Sequence, residues 1–186
     1  MGNPSEQTGL PAPEGLPACD VTQEHRTLPK GGNTDFVISL MEPADLPEVL
    51  VIEQETYSLP WSGKTFRDAL QQEYYHFLKV RCGEELAGYC GYLRSFETAD
   101  ITNVTVRKDF RRCGVGEAML RQLMEEGRRD GIERFSLEVR SSNTAAIRLY
   151  DKLGFRQEGV RRGYYENPRE DALILWTPEL TGEDRR

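Results

Sequence analysis

The sequence is poor in the residues that build metal and disulfide chemistry. Its 186 residues include four cysteines and two histidines. Cys19, Cys82, Cys90 and Cys113 show no C-x-x-C spacing, and His25 and His76 stand far apart. No metal site and no disulfide framework is therefore expected, and free thiols in a reducing cytoplasm are expected instead. No apolar run is long enough to span a bilayer, so no membrane partner is expected. Basic excess is missing as well: 24 Lys and Arg stand against 31 Asp and Glu, a formal charge of −7. That balance argues against direct binding of nucleic acid, whose affinity comes largely from basic surface. An acidic chain could instead suit a basic substrate.

The length fits one domain with a tail. Residues 1–34 hold five of the ten prolines and almost no apolar periodicity. They read as a disordered extension, either a tail or the product of a start site placed too far upstream. They lack the basic start and apolar core of a signal peptide. Residues 35–180 form the domain, and residues 181–186 read as a short polar tail. Within the domain, Phe36–Leu40 is a first strand, followed by helices from Pro43 to Tyr57 and from Lys64 to Glu73, with Ser62 as N-cap of the second. Strands are expected near Tyr75–Arg81, Leu86–Arg94 and Ala99–Val106, then a helix ending near Gly131. A strand at Phe135–Val139, a helix from Asn143 to Leu153 closed by Gly154, and strands at Arg156–Arg161 and Ala172–Trp176 flanking a Tyr164-Tyr165 loop complete the chain. Seven strands and four helices in the order β-α-α-β-β-β-α-β-α-β-β make a mixed α+β sheet domain.

The organising stretch runs from Val104 to Ala118, an apolar strand entering a basic, glycine-containing loop that opens a helix. A helix N-terminus offers unpaired N–H groups and the positive end of the helix dipole. Gly114 and Gly116 let an anion approach the backbone, and Arg111 and Arg112 add charge beside it. Val115, Met119 and Leu123 form one apolar row, with Leu120 and Met124 beside it, while Glu117, Arg121 and Glu125 face water. No Lys-Ser or Lys-Thr follows the glycines, which removes a nucleoside-triphosphatase loop. Met119 stands where a dinucleotide fingerprint needs a third glycine. What remains is R-x-x-G-x-G, from Arg111 to Gly116. Cys113 lies inside this loop, where the neighbouring arginines favour its thiolate; a small loop filler is its other reading.

Two further residues are candidates for chemistry. Glu138 ends an otherwise apolar strand and is either a base or an exposed residue paired to Arg140 or Arg156. Tyr150 shares a helix face with Asn143, Ala146 and Ile147, and its hydroxyl either meets a leaving group or belongs to a core aromatic.

The Arg111–Gly116 loop resembles the acetyl-CoA pyrophosphate loop of the GNAT superfamily of N-acetyltransferases, (Q/R)-x-x-G-x-(G/A). The stretch Leu137 to Phe155 closely resembles the LEVR-x-SN-x-x-A-x-x-LY-x-x-x-GF signature of its ribosomal-protein alanine N-acetyltransferase (RimI) branch. Leu59-Pro60-Trp61-Ser62 and Arg161-Arg162-Gly163-Tyr164-Tyr165, the latter followed by Asp171-Ala172, resemble two other segments of that branch. Together these cover nearly all of residues 36–177. The resemblance implies a mostly antiparallel seven-stranded sheet flanked by four helices. It implies acetyl-CoA as cosubstrate, no metal, and transfer to the N-terminal alanine of a small-subunit ribosomal protein. It further implies Glu138 as general base through a water and Tyr150 as general acid toward the CoA thiolate. The backbone of Val104, Thr105 and Val106 would hold the pantetheine arm. Arg111, Arg112, Cys113, Gly114, Val115, Gly116 and Glu117 would hold the pyrophosphate, and Asn143 would touch the cofactor arm. Trp61, Tyr164 and Tyr165 would line the peptide groove. Arg111 replaces the glutamine usual in that branch, a change that keeps phosphate binding.

Two other functions fit the same residues: an acetyltransferase for a different amine, such as a lysine side chain, another N-terminus or a metabolite, and an acyl-CoA-binding module without turnover. Oligomeric state is not legible in the sequence.

Overall fold

The computed structural model describes residues 35–179 and the backbone of residues 24–26. The tail reading for residues 181–186 and most of the reading for residues 1–34 fall outside them. The exception is a short strand β1 (Glu24–Arg26), which pairs antiparallel with β2 (Phe36–Leu40) at the sheet edge.

The remaining elements follow the expected order. A single 3-10 turn, Pro43–Asp45, leads into α1 (Leu46–Thr56), and Ser62 caps α2 (Gly63–Leu70) by accepting from the Thr65 N–H at 3.0 Å. Then come β3 (Tyr75–Cys82), β4 (Glu85–Ser95), β5 (Thr98–Val106), α3 (Val115–Arg129), β6 (Arg134–Arg140), α4 (Thr144–Lys152), β7 (Arg156–Glu166) and β8 (Arg169–Trp176). The sheet order is β1-β2-β3-β4-β5-β6-β8-β7, antiparallel throughout except for β5 and β6. A parallel pair needs a crossover, and α3 supplies it. The seven expected strands and four helices are all present.

One expectation requires correction. Tyr164 and Tyr165 do not sit in a loop between two short strands; both belong to β7, which runs on to Glu166. The cause lies in the pairing of β7 with β8, whose register breaks between Arg161 and Tyr165. Asp171 holds the bulged residues by accepting from the Gly163 N–H at 2.8 Å and pairing with Arg162 at 2.6 Å. Gly163 takes φ +60° there, which suits glycine.

The sheet is covered on both faces. Leu78, Ala87, Cys90, Ile101, Phe135, Leu137 and Val139 pack with the apolar rows of α3 and with Tyr150 of α4. Phe77, Leu86 and Tyr89 pack with Val49, Ile52 and Phe66 of α1 and α2 on the other side. Successive strand residues point to opposite faces, so β4 serves both cores at once and is buried along most of its length. Among the described residues, no helix is long and apolar enough to cross a membrane.

His76 joins β3 to α3: its ring stacks on Tyr92 at 5.2 Å, and its Nε2 lies 2.7 Å from Glu126. Burial raises the Glu126 carboxyl, but hydrogen bonds from His76 and Gln122 outweigh it and hold the group below its ordinary value. A carboxyl held low stabilises the fold above its ordinary range, and that contribution is lost as pH falls through the lowered value. Glu126→Gln is expected to cost about 1 kcal/mol at neutral pH and to flatten the acid side of a melting-temperature profile. Thermal denaturation of both proteins between acid and neutral pH checks this.

Candidate active site

The site begins where two strands part. β5 and β6 pair from Thr98↔Arg134 to Ile101↔Leu137 and no further, although β5 stays paired to β4 as far as Val106↔Gly88. The Arg107 N–H donates to the Ala87 carbonyl, so beyond the irregularity at Thr102 the odd-numbered residues bond toward β4. The backbone of Val104 and Val106 therefore faces the gap. Side chains meet part of it: the Tyr57 hydroxyl donates to the Val104 carbonyl at 3.2 Å, and Arg111 Nε to the Val106 carbonyl at 2.9 Å.

The loop after β5 delivers α3 to the same gap. A 3-10 turn at Lys108–Phe110 is followed by Arg112 at φ +67° and Gly114 at φ +81°, which is the N-cap residue. The left-handed turn at Gly114 needs glycine; Arg112 adopts the same region at a cost. The first helical bond runs from the Ala118 N–H to the Gly114 carbonyl at 3.0 Å, leaving the N–H groups of Val115, Gly116 and Glu117 outside the helical ladder. A Cβ at Gly116 would lie 3.4 Å from Val106 and 3.6 Å from Leu149, an ordinary van der Waals contact, so this turn of α3 packs against β5 and α4 without requiring glycine. Glu117 turns its carboxylate to Lys152 at 2.5 Å and Arg121 at 3.0 Å, and the Lys152 hydrogen bond leads the causes that hold it low. Its side chain thus ties α3 to α4, and only its backbone is free for an anion. Arg111, Arg112 and Cys113 are exposed at the loop tip, with Cys113 Sγ 3.5 Å from the Arg111 carbonyl.

Asn143 is the N-cap residue of α4, its Oδ1 accepting from the Ala146 N–H at 3.2 Å. Seven residues, or two helical turns, further on, Tyr150 is buried, with its ring 5.8 Å from that of Phe155. Burial first, and then Tyr57, Tyr165 and Cys90 nearby, push its phenol well above the ordinary tyrosine value. The phenol therefore keeps its proton at neutral pH.

Glu138 is the first β6 residue past the last β5 pair. Ser136, two residues earlier, bonds Asp100, while Leu137 and Val139 face α3. Glu138 therefore opens onto the α1 side of the sheet and Tyr150 onto the α3 and α4 side, with the gap between them. Glu138 Oε1 lies 3.0 Å from Arg161 Nε, not against Arg140 or Arg156. A hydrogen bond to Glu138 is the main cause raising the Tyr164 phenol. Tyr165 is pushed up to about 12, by burial and then by Glu138. Arg140 stacks over the Tyr165 ring at 4.0 Å and Arg161 over Tyr164 at 5.5 Å. The β7 bulge is what swings this pair onto β6, a common use of bulges beside functional sites.

Trp61 is not gathered to this cluster. Its ring packs among Phe66, Phe77 and Tyr75, at centroid distances of 5.2–6.2 Å. The exposed apolar side chain of that segment is Leu59, 82% exposed.

Four residues escaped the sequence analysis. Tyr57 also lies 3.0 Å from Thr105 Oγ1, and burial is the first cause raising its phenol. Glu53, 1% exposed, accepts from the Trp61 N–H at 2.9 Å and from the Tyr89 hydroxyl, and burial raises its carboxyl. Their i, i+4 spacing at the end of an amphipathic helix was the available signal. Arg161 and Asn103 gave none, because their importance depends on strand pairing.

A helix start with unpaired N–H groups, an unpaired strand edge, and Glu138 and Tyr150 on opposite sides of one opening are the groups an acyl-CoA-dependent acyltransferase would need. The Acetyltransferase (GNAT) family matches residues 46–155, and the chain belongs to that family. It is similar to the ribosomal protein bS18-alanine N-acetyltransferase of Escherichia coli, with 38% identity over 143 residues, 76% of this chain and 96% of that protein. The enzyme of the same description from Haemophilus influenzae is 31% identical over 142 residues, 75% of this chain and 96% of its own. The crystal structure of the E. coli enzyme superposes with a TM-score of 0.73, covering 80% of this chain and 97% of that one.

Replacing Glu53 with leucine leaves the Trp61 N–H and the Tyr89 hydroxyl without their acceptor. Glu53→Leu is expected to lose about 2 kcal/mol of stability, read as a lower urea midpoint.

Proposed function

We propose that this chain transfers the acetyl group of acetyl-CoA to the N-terminal amine of a protein, most specifically the N-terminal alanine of ribosomal protein bS18. The observation that carries the reaction class is the parting of β5 and β6 with Glu138 and Tyr150 on opposite sides of the gap. The substrate rests on the names of relatives at 31–38% identity.

The thioester arm fits the gap as an added strand would. The backbone of Val104 and Val106 offers it hydrogen bonds, while the Arg111–Glu117 backbone and the Arg111 and Arg112 guanidinium groups receive the pyrophosphate. Asn143, at the start of α4, borders the arm through the part of its amide that does not cap the helix. The amine arrives on the Glu138 side, beside Tyr164 and Tyr165. An α-ammonium group has a pKa of roughly 8, so a base of modest strength suffices. Glu138 takes the proton, through a water, as nitrogen attacks the thioester carbon. The C–S bond then breaks, and Tyr150, kept protonated by burial, gives its proton to the departing sulfur.

A test is CoA release from acetyl-CoA with a short basic peptide beginning with alanine, beside the same peptide blocked at its N-terminus. Release that needs the free α-amine is expected. Acetate found only on lysine would overturn the substrate and leave the reaction class standing. Glu138→Gln is expected to lower transfer by ~100-fold with CoA affinity retained, and Tyr150→Phe to act likewise. Parental turnover in either variant would remove that residue from the chemistry, which steady-state kinetics reads directly. Arg112→Ala should weaken CoA binding, measured by calorimetry, and unchanged affinity would argue against its phosphate role.

A further inference from the structure

Asn103 lies beside this gap with its chemistry unused. It is 4% exposed, and its Oδ1 is the one buried side-chain oxygen or nitrogen without a hydrogen-bond partner among the described residues. A buried acceptor left unpaired forfeits its hydration for nothing, so native structures keep few of them without a use. The surroundings indicate the use. Asn103 shares a strand face with Thr105, the face that Tyr57 reaches. It stands two residues past Ile101, where the ladder to β6 stops, and Glu138 stands one residue past Leu137 on β6, on that same face. Asn103 and Glu138 thus stand on the two strands that part at this opening, with their side chains on the same face of the sheet. Across β4 the partner of Asn103 is Gly91, and the space over Gly91 is filled by Phe77, since an added Cβ would lie 2.2 Å from that ring. That neighbour has no proton to donate.

We infer that Asn103 Oδ1 is a second acceptor for the attacking amine, a role that rests on the proposed transfer to an N-terminus and specifies how it is aimed. A neutral primary amine carries two N–H bonds and one lone pair. With one hydrogen directed to the Glu138 side and the other to Asn103, the lone pair has a single direction left, toward the thioester in the gap. A hydroxyl or thiol nucleophile carries one hydrogen and leaves one of the two acceptors unmet, so the pair also selects for amines. Asn103 takes no proton; it binds the nucleophile and turns it.

The test uses Asn103→Leu and Asn103→Ala in the full chain, with free-amine alanine peptide and acetyl-CoA. For both variants kcat/KM is expected to fall by ~10-fold or more, the scale on which misdirected reactants lose rate, with CoA affinity unchanged. Asn103→Leu should melt at or above the parental temperature, because an unpaired buried acceptor has been replaced by apolar volume. A folded variant with parental kcat/KM overturns the inference. So does a leucine variant that melts well below the parent, which would make Asn103 a structural residue. Turnover by the unsubstituted chain tests the transfer itself. If that chain turns over no peptide, the comparison is read as the Kd of the free-amine peptide for the CoA-loaded chain, where parental affinity in both variants overturns the inference.

Discussion

The separation of β5 from β6 is the constraint on which the rest of this structure depends. Among the described residues the two strands are the sheet's only parallel neighbours, and they are joined through α3, not a turn. They keep four residue pairs and then diverge, leaving the edge of β5 at Val104 and Val106 with polar backbone groups that the sheet does not satisfy. Buried backbone must find partners. Here the partners are functional side chains and, in the proposed reaction, the cosubstrate.

Everything around the opening serves to hold it. On one side, α3 begins against Val106 of β5, and Glu117 locks that first turn to Lys152 of α4. On the other, Tyr57 reaches from the end of α1 to the Val104 carbonyl and Thr105, while buried Glu53 anchors the following segment through the Trp61 N–H. The β7 bulge then supplies Tyr164, Tyr165 and Arg161 as a wall over Glu138. Burial keeps the Tyr150 phenol neutral. The two faces of the sheet thus bring the Glu138 side chain and a neutral phenol to one opening.

The apolar rows of α3 and the alternation along β6 were legible in the sequence, because 3.6-residue and two-residue periods depend only on local geometry. The glycine-rich loop was legible for the same reason: backbone that must approach an anion at a helix start has few residue choices. Glu138 and Tyr150 stood out as polar groups set in apolar patterns. The surroundings of Trp61 and the strand membership of the Tyr164-Tyr165 pair were less legible. An aromatic beside a proline shows no face of its own, and only the positions of Phe66, Tyr75 and Phe77 reveal that the half-buried Trp61 ring packs against that core. A bulge changes which face a strand residue meets, and its register is a property of two strands together.

The sequence by itself determined the main elements, their order and the family, since each of these is written in short-range spacing and side-chain chemistry. Tertiary structure decided which side chains meet: Arg161, not Arg140 or Arg156, on Glu138; Tyr57 on the Val104 carbonyl; and the Asn103 amide oxygen buried without a partner. Those contacts join positions far apart in the chain, and only the packing of strands and helices brings them within hydrogen-bonding distance or leaves a polar atom without a partner.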